Sequence, residues 1–201
     1  MNMKMITILD NEEYLRQISK EVDIKNDKEL EENIKMLKSF CGPNEALALA
    51  AIQIGIPKRL IYLKNTNLDI VKKIQNDTFT EEDKLYDEAK VLINPVILKR
   101  EGLTEYWETC ASCLDNCGLV ERPYKILVEY YDTLGNKHEE IFEGFESTVL
   151  SHEMDHLDGI LHMDKSKELI VMPLEERKIF RKDHGYNIIT KIGDFEDLKG
   201  L

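Results

Sequence analysis

The sequence predicts an α+β fold in which a mainly antiparallel sheet packs around a central helix. Apolar segments with strand-like alternation follow one another between residues 91 and 143. Two of them are separated by the turn sequence Asp132–Asn136, which is typical of an antiparallel hairpin. Helical periodicity appears before and after this block. We found no repeats, and 201 residues suit a single domain spanning positions 1–201.

Two helices are predicted near the start of the chain, at Asp10–Val22 and Asp27–Phe40, because apolar residues recur there every three or four positions. In the first of them, Ile18 takes one of the inward positions. A strand is expected at 59–63. The polar and acidic stretch at about 65–90 is expected to be an exposed excursion.

Further strands are predicted at 91–98, 104–110, 118–122, 125–132 and 138–143. Pro95 lies in the first of these and indicates either a sheet edge or a bulge, because proline donates no hydrogen bond to a neighbouring strand. A helix is expected at Glu146–Asp158, ended by Gly159. A C-terminal helix is expected at about 173–184, with acidic residues in its first turn, as the helix dipole favours.

The helix at Glu146–Asp158 contains the motif His152-Glu153-Met154-Asp155-His156, an H-E-x-x-H pattern. Residues four apart share one helix face, so the two imidazoles are placed to bind one divalent metal, with Glu153 beside it to move protons. The pair also continues an apolar stripe with Phe145 and Val149, as core residues do. Burial of two imidazoles and a carboxylate needs partners for all three groups, which favours the metal.

The net charge of −12 and the isoelectric point near 5.0 argue against a nucleic-acid binder, so no DNA partner is expected. The apolar runs are far shorter than the roughly 20 residues of a membrane span, so no membrane partner is expected either. The apolar stretch within Met1–Asp10 is too short for a secretion signal, and a cytoplasmic location is expected.

A catalytic metal site built on this motif needs a third protein ligand and an open position. Cys110, Cys113 and Cys117 fall within eight residues, which favours metal or thiol chemistry over disulfide bonds. His138 and His162 fit the surface better than a metal site. Cys41 fits a buried or half-buried thiol.

Three blocks of the chain, in this order, resemble the peptide deformylases. They are Ala46–Gln53, which ends in Ala-Ala-Ile-Gln, then Glu108-Thr109-Cys110-Ala111-Ser112, and last His152–Gly159, which reads His-Glu-Met-Asp-His-Leu-Asp-Gly. The resemblance implies a peptide-deformylase-like fold. It also implies that Cys110, His152 and His156 bind the metal and that Glu153 is the catalytic acid and base. A rival alignment would place Cys113 in the position of Cys110.

The resemblance implies further roles around the metal. The amide of Gln53 and the backbone N–H of Ala111 would stabilise the oxyanion. Ala46, Leu47, Ala48 and Glu108 would belong to the substrate-binding side of the site.

The activity implied is removal of the N-formyl group from N-formylmethionyl peptides or nascent polypeptides, with a metal-bound water as nucleophile. The cofactor would be one divalent metal ion per chain, Fe(II) by resemblance, while Zn, Ni or Co suit the same ligands. Ribosome contact would run through the C-terminal helix. A basic stripe on that helix consists of Arg177, Lys178, Arg181 and Lys182, and a simple solvated face is the alternative.

Two alternatives remain open. The family blocks usually have glycine at positions 46, 48 and 109 and leucine at position 111, where this chain has Ala46, Ala48, Thr109 and Ala111. The first alternative is therefore a deformylase-like protein that acts on another acyl or peptide substrate or lacks deformylase activity. An added Cβ at the glycine positions would narrow the cleft, or would cost about 1–2 kcal/mol if the backbone there were left-handed. The second alternative is a closed structural site, in which Cys113 completes four ligands.

Overall fold

The computed structural model describes residues 3–44, 46–64, 89–191 and 196–197. The helices are α1 (Ile8–Leu15), α2 (Leu30–Cys41), α3 (Phe145–Leu157), α4 (His162–Lys165) and α5 (Leu174–His184). The strands are β1 (Ala48–Ala50), β2 (Leu60–Leu63), β3 (Lys90–Glu101), β4 (Leu103–Thr109), β5 (Asn116–Arg122), β6 (Lys125–Tyr131), β7 (Lys137–Glu143), β8 (Glu168–Val171), β9 (Asn187–Thr190) and β10 (Glu196–Asp197). Short 3-10 helices occupy Ala51–Ile54 and Ala111–Cys113.

In the described ranges the strands form two antiparallel sheets. One has the order β1-β2-β3-β6-β7, with β10 also paired to β3, and the other has the order β8-β5-β4-β9. Helix α3 contacts β1, β2 and β7 of the first sheet and β5 of the second. The predicted α+β fold, with antiparallel strands around a central helix, is therefore confirmed.

Helix α3 owes its central position to its apolar face. Leu150, Met154 and Leu157 pack into a core cluster with side chains from β2 and β6, including Ile61 and Ile126. Full burial of such side chains contributes roughly 1.5–3 kcal/mol each. The helix that carries the H-E-x-x-H motif is thus fixed against the first sheet by its own core residues.

The first helix is shorter than the predicted Asp10–Val22. It begins two residues earlier because the Thr7 side chain caps it, in a reciprocal capping box with Asp10. It ends at Leu15, after which the chain leaves the helix and the Ser19 N–H donates to the Leu157 carbonyl at 2.8 Å. This long-range hydrogen bond joins the N-terminal segment to the end of α3. Residues 16–22 therefore do not continue the helix, although their apolar periodicity predicts one.

Two related expectations also fail. Ile18, predicted to face inward, is 73% exposed because it lies beyond the end of α1. Helix α2 begins at Leu30 rather than at Asp27, whose carboxylate instead accepts hydrogen bonds from the Glu29 N–H and from Lys58. These contacts hold the Asp27 backbone in a turn before the helix.

Strand β3 departs from regular pairing at Pro95, as the bulge interpretation predicted. Its pairing with β6 shifts between Ile93 and Val96, and Asn94 has a φ of 51°. The edge interpretation is wrong, because β3 pairs with β2 on one side and β6 on the other. The Asn94 side chain explains the kink: it binds both the N–H and the carbonyl of Val22.

The predicted hairpin at Asp132–Asn136 joins β6 and β7, and Gly135 supplies the positive φ in its turn. A helix stands at Leu174–His184, where one was expected at about 173–184. Most of the excursion expected at about 65–90, residues 65–88, lies outside the described residues. Among the helices that are described, each is too short or too polar to cross a lipid bilayer.

Gly159, just beyond α3, provides a test of how tightly the N-terminal segment is joined to this helix. Its φ is +73°, and an added Cβ would overlap the carbonyl oxygen of Arg16. Gly185 has a φ of +47° with no atom within 4 Å of such a Cβ, so it serves as the control. We expect Gly185→Ala to cost about 1–2 kcal/mol of unfolding free energy, from backbone strain alone. Gly159→Ala should cost about 3 kcal/mol, because overpacking is added to strain.

The measurement is urea denaturation of both variants beside the wild type. Equal losses in the two variants would show that the close approach of Arg16 to Gly159 contributes nothing to stability.

Candidate metal centre

Three side chains able to bind a metal converge where β4 ends against α3. The Sγ atom of Cys110 and one ring nitrogen each of His152 and His156 all lie within 4.8 Å of one another. Cys110 Sγ is 3.2 Å from His156 Nε2. No other cluster of three such ligand atoms occurs in the described part of the chain. The helical spacing and the strand end together therefore assemble a donor set of one sulfur and two nitrogens.

Glu108 fixes the orientation of the His152 ring. Its Oε2 lies 2.8 Å from His152 Nδ1. A carboxylate only accepts hydrogen bonds, so Nδ1 carries a proton, and Nε2, on the other side of the ring, is the nitrogen left to bind a metal. Carboxylates that hold metal-binding histidines in this way raise the basicity of the ligand. Glu108 thus orients His152 from its strand, two residues before Cys110.

Glu108 is itself held by a buried cation. Arg122 Nε and Nη2 donate to its two carboxylate oxygens at 2.8 and 2.9 Å, and Arg122 Nη1 also donates to Asp155 of α3. Burial would raise the pKa of Glu108, but the charge and hydrogen bonds of Arg122 outweigh it and hold that pKa well below its ordinary value. Glu108 is therefore ionised whenever the protein is folded near neutral pH.

Cys110 and Cys113 have different roles despite their proximity. A hydrogen bond from Cys113, opposed by burial and helped by the charge of His156, lowers the pKa of the Cys110 thiol. The same pairing, with burial, raises the pKa of Cys113, which stays a thiol. Cys113 lies outside the cluster of ligand atoms. The geometry therefore favours Cys110 over Cys113 as the sulfur ligand and does not support a closed four-ligand site.

Glu153 and Gln53 meet at one backbone group of β1. The Ala50 N–H donates to Glu153 Oε2 at 2.7 Å and to Gln53 Oε1 at 3.1 Å. Gln53 Nε2 in turn lies 3.4 Å from Cys110 Sγ and 3.1 Å from the Ser112 hydroxyl. Burial raises the pKa of Glu153. Strand β1, absent from the predicted elements, thus aligns both groups beside the candidate metal ligands.

A cavity of about 530 Å³ opens in front of these groups and is called the cleft below. Its walls include Ala46, Leu47, Ala48, Gln53, Glu108, Cys110, Ala111, His152 and Glu153, together with Met5, Phe40, Asn44, Leu49, Tyr106, Thr109, Phe145, Thr148, Val149 and Arg181. Every residue predicted for the site lines it except His156, which is buried behind the cluster. The structure brings the whole predicted set together.

The alanines in place of family glycines adopt ordinary backbone conformations. Among described residues other than glycine, positive φ occurs at Asn94 and Leu114, so neither Ala46 nor Ala48 is left-handed. The strain that a left-handed backbone would cause is therefore absent. The difference from the family at these two positions is one added methyl group each, at the cleft wall. Ala111 begins a 3-10 helix, where its N–H has no partner within that helix.

Of three further expectations for single residues, two are confirmed and one is wrong. His138 is exposed, as predicted, and Cys41 is buried, as predicted. The surface placement of His162 is wrong: it is 1% exposed, its ring is 5.7 Å from that of His152, and burial lowers its pKa to about 4. The apolar residues on both sides of it in sequence, Leu161 and Met163, gave the only signal of burial.

The basic stripe predicted on α5 does not form one solvated face. Arg177 is buried and donates to the Leu114 carbonyl at 2.6 Å, and Arg181 is half-buried at the cleft. Lys178 and Lys182 are exposed. Sequence reasoning also missed Arg122 as part of the site, although its place in the inward alternation of β5, beside Val120, marks it as a buried charge.

The profile of the polypeptide deformylase family matches residues 3–170. A peptide deformylase of Pelagibacter ubique is 36% identical over 184 residues, which cover 89% of this chain and 96% of that protein. The chain belongs to the peptide deformylase family. Peptide deformylase 2 of Clostridium acetobutylicum is 35% identical over 81% of this chain and 95% of its own length.

Solved deformylase structures agree with this assignment. A probable peptide deformylase from Synechococcus phage S-SSM7 has a TM-score of 0.65 at 32% identity, covering 82% of this chain and 99% of its own. The peptide deformylase of Synechococcus elongatus, solved with actinonin, has a TM-score of 0.65 at 29% identity, and the match covers 83% of this chain and 80% of that chain. The deformylase family removes N-formyl groups from nascent peptides, and this chain shares its enzyme class.

A deformylase uses a catalytic metal, and the donor set of this deformylase chain fits one. A thiol with a lowered pKa, an imidazole oriented by Glu108 and a second imidazole 3.2 Å from the sulfur are the ligand types that divalent transition metals bind. The cleft reaches Cys110 and His152, so an open coordination position would face substrate.

Loss of Arg122 should lower the free energy of unfolding more than loss of an exposed cation does. Arg122→Met leaves Glu108 buried without its guanidinium partner and leaves Asp155 paired with Lys165 alone, which we expect to cost about 3–5 kcal/mol of unfolding free energy. Lys137→Met, which removes an exposed pair with Glu129, is the control and should leave the free energy of unfolding almost unchanged. Urea denaturation of the metal-free proteins measures both. A loss of under 1 kcal/mol for Arg122→Met would contradict this account of the buried network.

Proposed function

We propose that this chain removes the formyl group from N-formylmethionyl peptides or nascent polypeptides, with one divalent metal held by Cys110, His152 and His156. The convergence of these three ligands with Glu153 at the base of an open cleft carries the proposal. A divalent metal in such a site supplies a Lewis acid that polarises a carbonyl and lowers the pKa of water toward neutrality. We expect this activity in the cytoplasm.

Glu153 is the proposed general base and acid. It would accept a proton from the attacking water and return it to the leaving amine. The Ala50 N–H holds one of its oxygens at 2.7 Å, which fixes the carboxylate while the other oxygen stays available for the proton. Its raised pKa lies closer to the operating pH than that of an ordinary carboxyl group, as proton transfer in both directions requires.

Gln53 and Ala111 are proposed to stabilise the oxyanion. The Gln53 amide nitrogen is near Cys110 Sγ, and its carbonyl is held by Ala50, so its N–H groups point toward the metal ligands. The backbone N–H of Ala111 begins the helix that follows Cys110 directly. Loss of one such donor typically costs about 3–4 kcal/mol of barrier.

The cleft fits a formylmethionyl substrate. A deformylase of Acinetobacter baumannii, 25% identical over 81% of this chain with a TM-score of 0.65, has been solved with Met-Ala-Ser bound. Here the apolar side chains of Leu47, Phe145 and Val149 line the cleft beside His152, as an apolar methionine side chain requires. We propose Ala46, Ala48 and Glu108 as further parts of the substrate-binding wall.

The metal is proposed to be Fe(II), by family resemblance, and the same ligands suit Zn, Ni and Co.

Contact with the ribosome through α5 stays a prediction. Of the four residues of the basic stripe, Arg177 and Arg181 face the protein, so Lys178 and Lys182 are the ones exposed for such a contact.

Formate release from N-formyl-Met-Ala-Ser tests the function directly. The protein is purified without oxygen, loaded with Fe(II) or Ni(II), and compared with Glu153→Gln, which keeps the shape of the side chain but cannot take a proton. We expect the wild type to release formate and Glu153→Gln to lose at least about 100-fold in kcat while it retains metal.

Turnover retained by Glu153→Gln would remove this residue from the mechanism. A wild type that binds one metal per chain but releases no formate would instead favour the alternative of a changed acyl substrate.

A further inference from the structure

Arg181 enters the cleft from α5, beyond residues 3–170 that match the family profile. The helix is fixed against β4 by an edge-to-face contact of aromatic rings, with the Trp107 and Phe180 centroids 5.0 Å apart. The Arg177 hydrogen bond to Leu114 adds a second anchor one turn earlier. The position of Arg181 at the cleft wall is therefore set by several contacts besides its own.

The guanidinium of Arg181 is held beside the proposed metal site by two hydroxyl groups. Nη1 donates to Thr109 Oγ1 at 3.1 Å and Nη2 donates to the Tyr106 hydroxyl, while Cζ lies 4.7 Å from the centre of the Tyr106 ring. Thr109 stands where the family motif has glycine, and it directly precedes the proposed ligand Cys110. The threonine thus supplies an acceptor that glycine lacks, and it directs the cation toward the metal ligands.

The hydrogen-bonding capacity of Arg181 is not used up by the protein. Within the described ranges no carboxylate forms an ion pair with it, and its buried Nε has no hydrogen-bond partner. The charged side chains that share the cleft wall are Glu108, which is paired with Arg122, and Glu153, which binds Ala50. A half-buried guanidinium with spare donors at a substrate cleft points to an acceptor oxygen of the ligand.

We propose that Arg181 is a substrate-positioning residue that binds an acceptor oxygen of the formyl peptide on the carboxyl side of its methionine. This inference rests on the proposed function for the identity of the ligand. The oxygen is either a main-chain carbonyl or the carboxylate of a short peptide, and a guanidinium binds both. Because this oxygen belongs neither to the formyl group nor to the leaving amine, the contact stabilises bound substrate and transition state alike, so it acts on KM rather than on kcat.

The test uses Arg181→Met, which keeps the unbranched stem over Tyr106 but removes the charge and donors. Lys178→Met, an exposed lysine on the same helix, is the matched control. We expect Arg181→Met to raise KM for N-formyl-Met-Ala-Ser about tenfold or more, with kcat within about twofold, since a hydrogen bond to a charged group contributes on this scale. Arg181→Lys should restore part of the loss. Lys178→Met should change neither constant.

Two peptide forms identify the oxygen. An equal rise in KM for the free acid and for its C-terminal amide indicates a main-chain carbonyl, and a rise for the free acid alone indicates the carboxylate. Calorimetric binding of Met-Ala-Ser to the metal-loaded protein provides a readout independent of turnover. Arg181→Met should weaken this binding by a similar factor.

The outcomes separate this inference from the proposed function. Absence of formate from the wild type refutes the deformylase activity, while Arg181-dependent peptide binding would still support the positioning role. Unchanged binding and unchanged KM in a folded, metal-loaded Arg181→Met protein would overturn the role of Arg181. A fall in kcat alone would overturn it as well. If Arg181→Met does not fold, the same comparison is made with Arg181→Lys. Peptide binding and KM equal to those of the wild type would then overturn the role of Arg181 as well.

Discussion

The buried ion network centred on Arg122 is the constraint on which the site depends. One guanidinium on β5 binds Glu108 on β4 and Asp155 on α3, and so fixes the sheet to the helix. Glu108 then orients His152. Three buried charges would be costly in isolation, and their mutual pairing offsets that cost only while all are in place. The second sheet and the imidazole geometry are consequently set by the same contacts.

Helix α3 joins this network to the core. One face supplies Leu150, Met154 and Leu157 to the cluster under the first sheet, and the motif residues project toward β4 and β1. Neither sheet alone contains the site, because Cys110 directly follows β4 of the second sheet and Ala50, the backbone partner of Glu153, lies in the first. The apolar packing of α3 between them therefore determines whether Cys110 and Glu153 lie at one site.

Much of the fold and the site could be predicted because both depend on local patterns. The H-E-x-x-H spacing places two imidazoles on one face whatever surrounds them, and alternation with turn residues marks most of the strands. The failures have tertiary causes. The first helix ends where Ser19 finds a partner at Leu157, and the three-residue β1 is stabilised by pairing with β2, which no local pattern reveals. The contact between Arg181 and Thr109 spans 72 positions. The sequence marks Thr109 only as a departure from the family block and Arg181 only as part of a basic stripe, because their contact forms only in the folded chain.

The measurement that tests the central claim most directly is metal content and formate release in Cys110→Ser beside Cys113→Ser. Both cysteines are buried and three residues apart, so the pair separates ligand loss from general damage to this strand end. The account predicts that Cys110→Ser loses most of its metal and its activity, while Cys113→Ser keeps about one metal per chain and releases formate. Metal retained by Cys110→Ser and lost by Cys113→Ser would contradict the proposed ligand set.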